Sequence, residues 1–151
     1  MTIKLKIDIN GMWKYKIGDI IANSLLKSCD KITEVAKLTS QKDYLQKKKS
    51  EPKYPSMIFD SFIVEKSKFL SSIEVQGIVF AGGVKPNPGY WAIYLDEGFM
   101  MRNKQPWPGG GYHFMYAGAK AAEDLGPKII SIELGNAYAK VSADRTYVPI
   151  K

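Results

Sequence analysis

The first seventeen residues constrain the fold of this chain most. In TIKLKIDI-NG-MWKYKI, Asn10-Gly11 stands between two runs in which apolar and polar residues alternate. A two-residue Asn-Gly turn accepts positive φ at both central positions and matches the twist of flanking strands, so the stretch predicts a β-hairpin. Ile3, Leu5, Ile7 and Ile9 alternate with Lys4, Lys6 and Asp8, and Trp13, Tyr15 and Ile17 alternate with Lys14 and Lys16. Side chains of a strand point to opposite faces with period two. The apolar set therefore shares one face, and Lys4, Lys6, Lys14 and Lys16 share the other. A helix is expected next, from about Asp19 to Leu38, with Asp19 placed to cap it or to complement its dipole. Ile21, Leu25, Cys29, Ile32 and Val35 lie near one helical stripe, which should pack on the apolar face of the hairpin.

The remainder reads as a polar connector followed by a larger unit. Thr39 to Pro55 carries the run Lys47-Lys48-Lys49, two prolines and few apolar residues. Strands are expected over Met57–Val64, Ser71–Gly83 and Tyr90–Arg102, with a loop over Lys104–Gly111. A helix over Tyr112–Leu125 should close at Gly126-Pro127, since a glycine and then a proline commonly end helices. A strand over Lys128–Leu134 and a short pair within 139–150 would complete the chain. The expected class is α/β (α+β), with a mainly antiparallel or mixed sheet and two principal helices. Its units would be a basic ββα unit (1–38), a Lys/Pro linker (39–55) and an α/β core (56–151), or all of these as one compact domain.

Charge narrows the partners. Residues 1–70 hold 14 Lys against 8 acids, a balance of +6, whereas residues 71–151 hold 8 basic and 7 acidic residues, a balance of +1. Such asymmetry suits a polyanion, either nucleic acid or an acidic protein surface. Lysines outnumber arginines 20 to 2, and lysine contacts phosphate as a point charge rather than reading base edges bidentately. The one cysteine, Cys29, excludes an internal disulfide and fits a reducing, cytoplasmic compartment. No run approaches the apolar length of a transmembrane helix, so no membrane partner is expected.

The segment IVFAGGVKPNPGYWAIYL, with YHFMYAGAKAAEDL and IISIELGNAY after it, resembles the first part of the ribonuclease H-like family across residues 73–138. The resemblance implies a first strand, an Asn-Pro-Gly turn, further strands, a helix and a central strand. In that family carboxylates hold two metal ions across the scissile phosphate. At the matching places this chain has Ala81, His113 and Gly135, none a carboxylate. A ribonuclease H-like frame without that chemistry is thus implied, with no catalytic residue, no metal and no cofactor.

Two further features bear on binding. The glycines before Tyr112 could cradle an anion, but no P-loop Lys-Ser/Thr follows, so a turn feeding a helix is expected. Trp107, between Pro106 and Pro108, is placed to stack on a base or to anchor a partner, or to fold back as a lid on the core. The leading expectation is a non-enzymatic protein that binds the phosphate backbone of nucleic acid through Lys4, Lys6, Lys14, Lys16 and the Lys47, Lys48, Lys49 run. The alternatives are an inhibitor or adaptor for an acidic protein site and, third, a divergent metal-dependent nuclease.

Overall fold

A computed structural model describes residues 1–6, 15–47, 55–71, 74–82, 92–98, 100, 104–106 and 111–143. Seven elements follow in the order β1 (Thr2–Lys6), α1 (Tyr15–Lys47), α2 (Pro55–Asp60), β2 (Phe62–Ser71), β3 (Glu74–Ala81), α3 (Ala92–Glu97) and α4 (Phe114–Ala143). The strands form an antiparallel sheet in the order β1-β3-β2. This is an α+β arrangement in which α1 and α4 are the two long helices.

The described residues do not pair as the hairpin expected at the start, and residues 7–14, which include its turn, lie outside them. β1 pairs with β3, from Thr2↔Ile78 to Lys6↔Glu74, and Tyr15, Lys16 and Ile17 begin α1. Lys16 is therefore a helix residue. Lys14 lies outside the described residues. An Asn-Gly turn is a local preference, and here a long-range ladder wins because β3 can be covered by a helix on one face.

α1 lies against both the sheet and α4. Leu25, Cys29 and Ile32 are buried as the stripe requires, and Leu25 and Cys29 form a cluster with Val75 that Ile3, Leu5 and Leu26 complete. Burial raises the pKa of the Cys29 thiol. Gly77 on the central strand permits this approach: a Cβ there would stand 2.4 Å from Thr33 Cγ2 and 3.0 Å from Cys29 Sγ. The helix does not end at Leu38, and it runs through the expected boundary at 38/39. Ser40, Gln41 and Tyr44 continue the buried side, and Gln41 donates a hydrogen bond to the Phe59 carbonyl (3.0 Å). Lys47 is thus the last residue of α1 and not part of an extended linker. The expected strand at Met57–Val64 is divided into α2 and the start of β2. Ser61 separates them, its N–H and its hydroxyl both donating to the Ile58 carbonyl (3.1 and 2.6 Å).

Two further expected strands are helical. Ala92–Glu97 is α3, and Lys128–Leu134 is a stretch of α4, which passes through Gly126-Pro127 without ending. Pro127 removes the hydrogen bond that its N–H would give to the Glu123 carbonyl. Pro127 and Glu123 are both exposed residues of α4. Gly126 is buried and faces Ile32 of α1, with 3.6 Å from its Cβ position to the Ile32 Cδ1. Its role is packing, not termination. At its start α4 borrows a cap: Asp96 accepts a hydrogen bond from the Met115 N–H (3.0 Å), and the Asp96 carbonyl accepts from the His113 N–H (2.9 Å).

Candidate functional site

The sheet has two unlike faces. Val75, Gly77 and Val79 of β3 are buried towards α1, whereas Gln76 and Ile78 are half-buried and Phe80 is exposed on the opposite face. Cross-strand register builds that second face row by row. Lys4 of β1 and Lys68 of β2 flank Gln76 of β3, giving one row of lysine, glutamine and lysine. On one side stands the row Thr2, Ile78, Glu65, and on the other the row Lys6, Glu74, Ser71. Ile63 pairs with Phe80 at the far end, and both are exposed (46% and 36%). Opposed Cα atoms of an antiparallel pair lie about 5 Å apart, so Lys4 and Lys68 are separated by ~10 Å of backbone.

Lys66 adds a further exposed ammonium group where β2 bulges, between Glu65 and Lys68. Lys4, Lys6, Lys66 and Lys68 oppose Glu65 and Glu74, which leaves the sheet basic. Among the described residues the ion pairs are Lys31–Glu133, Lys37–Glu34 and Lys47–Asp43, and none of the sheet lysines takes part in one.

The expected basic residues separate into four groups, one of them Lys16 alone, near the start of α1. Lys4 and Lys6 project from the solvent face of β1, as their alternation required. Lys47 is engaged at the end of α1, in an ion pair with Asp43 (2.7 Å) and a hydrogen bond to the Tyr112 carbonyl (2.7 Å). Lys14, Lys48, Lys49 and Trp107 lie outside the described residues. The lysines that join Lys4 and Lys6 are Lys66 and Lys68. Their signal was the tract VEKSKF, which continues strand alternation past Val64, where the sequence reading ended the strand.

The positions singled out by the ribonuclease H-like resemblance are also placed. Ala81 ends β3, His113 is exposed immediately before α4 with φ 52°, and Gly135 is exposed within α4. Among the described residues, no three of His, Cys, Asp and Glu converge as a metal would need. Nor, among them, is any helix long and apolar enough to cross a membrane. No protein-family model matches the chain, and neither a curated protein nor a solved structure does.

Proposed function

We propose that this protein binds the phosphate backbone of nucleic acid on the sheet face opposite α1, without strong sequence preference and without catalysis. The observation that carries this reading is the row Lys4–Gln76–Lys68 across three adjacent strands. It sets two ammonium groups on either side of an amide, on a face whose charge is otherwise borne by Lys6, Glu65 and Glu74. Lysine suits backbone contact because it acts as a compact charge, and each phosphate neutralised releases condensed counterions. The exposed Phe80 ring lies on the central strand of the same face, where an aromatic side chain can stack on an unpaired base whatever its identity.

The test is a salt titration of binding to labelled single-stranded and duplex oligonucleotides by fluorescence anisotropy. The Lys4→Ser/Lys68→Ser variant should bind more weakly and flatten the log–log salt slope by about 1.4 to 1.8, the contribution of two phosphates. Both side chains are exposed, so its circular dichroism spectrum should match that of the parent. Unchanged affinity and slope would sink the reading. Binding of polyglutamate but of neither oligonucleotide would transfer the lysines to an acidic protein partner.

A further inference from the structure

A groove of about 400 Å³ lies between β1 and α4, on the edge of the sheet, and meets the basic face at Lys4. Met1–Leu5 form one wall, Ala119, Glu123, Pro127 and Ile130 of α4 line the other, and the buried Ile32 of α1 forms the floor. Among the described residues β1 is an end strand, paired only with β3. The ladder shows which backbone groups remain. The Met1 amine donates to the Val79 carbonyl (2.7 Å), and the Val79 N–H donates to the Met1 carbonyl (2.9 Å). Hydrogen-bonded pairs alternate along an antiparallel ladder. Met1, Ile3 and Leu5 therefore turn their backbone groups to β3, and Thr2 and Lys4 turn theirs to the groove. Two N–H donors and two carbonyl acceptors thus line a trough with an apolar floor, the arrangement that recruits an added strand.

We propose that this groove takes an extended peptide segment of another protein, which adds to β1 as a fourth strand and alternates acidic and apolar residues. The side chains follow from the pleat. Residues of the added strand on the open face would stand about 5 Å from Lys4 and Lys6, where a carboxylate is favoured over a cation. The intervening residues point to the other side, over Ile3, Ile32 and Ile130, and must be apolar. Glu123 on the α4 rim enforces the same register, because it repels an acid placed on the groove side.

The experiment uses the full chain and a fluorescein-labelled Glu-Val-Glu-Val-Glu peptide followed by anisotropy. The peptide should bind, and a Lys-Val-Lys-Val-Lys peptide should bind weaker by about tenfold or more. Ala119→Trp fills the groove from a partly exposed helix position and should reduce peptide affinity by about tenfold while leaving oligonucleotide binding unchanged. Thr2→Pro removes one outward N–H and spares the ladder to β3, and it should weaken the peptide several-fold. Absence of peptide binding, or equal binding by the parent, Ala119→Trp and Thr2→Pro, overturns the proposal. So does equal binding of the two peptides, which removes the acidic preference. Loss of oligonucleotide binding alone in Ala119→Trp would assign the groove to nucleic acid and overturn it as well.

Discussion

The α1–α4 pair is built differently in two regions. Where the end of α1 meets the start of α4, the space is filled by rings. Tyr44 packs edge-on to Phe114 (5.5 Å between centroids), and Phe114 is tilted against Phe62 (5.4 Å), with Tyr112 beside Tyr44 (6.5 Å). Ile58, Ala92 and Leu95 complete that cluster, so four helices and a strand depend on it. Further along, where the middle of α1 meets the second half of α4, Gly126 faces Ile32 and Lys31 forms an ion pair with Glu133. One region is held by buried rings and the other includes a charge pair. Measurements that separate these contributions are the natural tests of the fold.

The largest effect belongs to the aromatic end. Phe114 is fully buried, and Phe114→Ala removes a ring from contact with Tyr44 and Phe62. A loss of about 3–5 kcal/mol in denaturant unfolding is expected, from lost transfer energy plus the cavity left behind. A loss below ~1 kcal/mol would mean that the ring cluster does not hold the two helices together.

The crossing between the two regions should respond next. A Cβ on Gly118 would lie 2.1 Å from Ser40 Oγ and 2.5 Å from the Ala36 carbonyl oxygen. The hydroxyl can rotate away, but the backbone carbonyl cannot. Gly118→Ala should therefore destabilise by about 1–3 kcal/mol despite the better helix propensity of alanine. Gly135→Ala on the same helix is the counter-test. Nothing lies within 4 Å of its Cβ position, so the propensity gain of up to ~1 kcal/mol should appear there undiminished. If both substitutions stabilise, the helices are not in close contact at Gly118.

The same contrast explains what could be read from the sequence. Leu25, Cys29 and Ile32 announced the buried side of α1 because they are apolar at helical spacing. Its continuation through Ser40 and Gln41 did not, because small or polar residues mark a tight interface as readily as a solvated linker. Gly126-Pro127 imitated a helix end, although the glycine faces Ile32 and the proline faces water. Lys128–Leu134 imitated a strand because Ile130, Ile132 and Leu134 alternate, while only Glu133 of that stretch is buried. The candidate site divided likewise. Lys4 and Lys6 were evident from local alternation, but Lys68 joins them only through pairing with β3, which no local pattern specifies. The turn at Asn10-Gly11 pointed to the wrong partner for β1 for that reason.

The smallest effect is expected at the charge pair, and it depends on pH. The Glu133 carboxyl is held below its ordinary pKa of 4.5, first by its hydrogen bond with Lys31. Burial opposes this shift, and the charges of Lys31, Lys27 and Lys140 add to it. A carboxyl whose pKa is lower in the folded state favours folding while it is ionised. That contribution is complete above the ordinary value and is lost as pH falls through it towards the folded value. Glu133→Gln should thus melt below the parent at pH 7, and the gap should close as pH falls through the parent's lowered carboxyl pKa. Lys31 is 59% exposed, so salt screens the pair and the gap at pH 7 should shrink at high ionic strength. The three lysines around Glu133 give the sign a second support, since the variant leaves them facing one another without the carboxylate. Equal melting temperatures for parent and variant at pH 7 and low salt would show that packing alone holds this region of the helix pair.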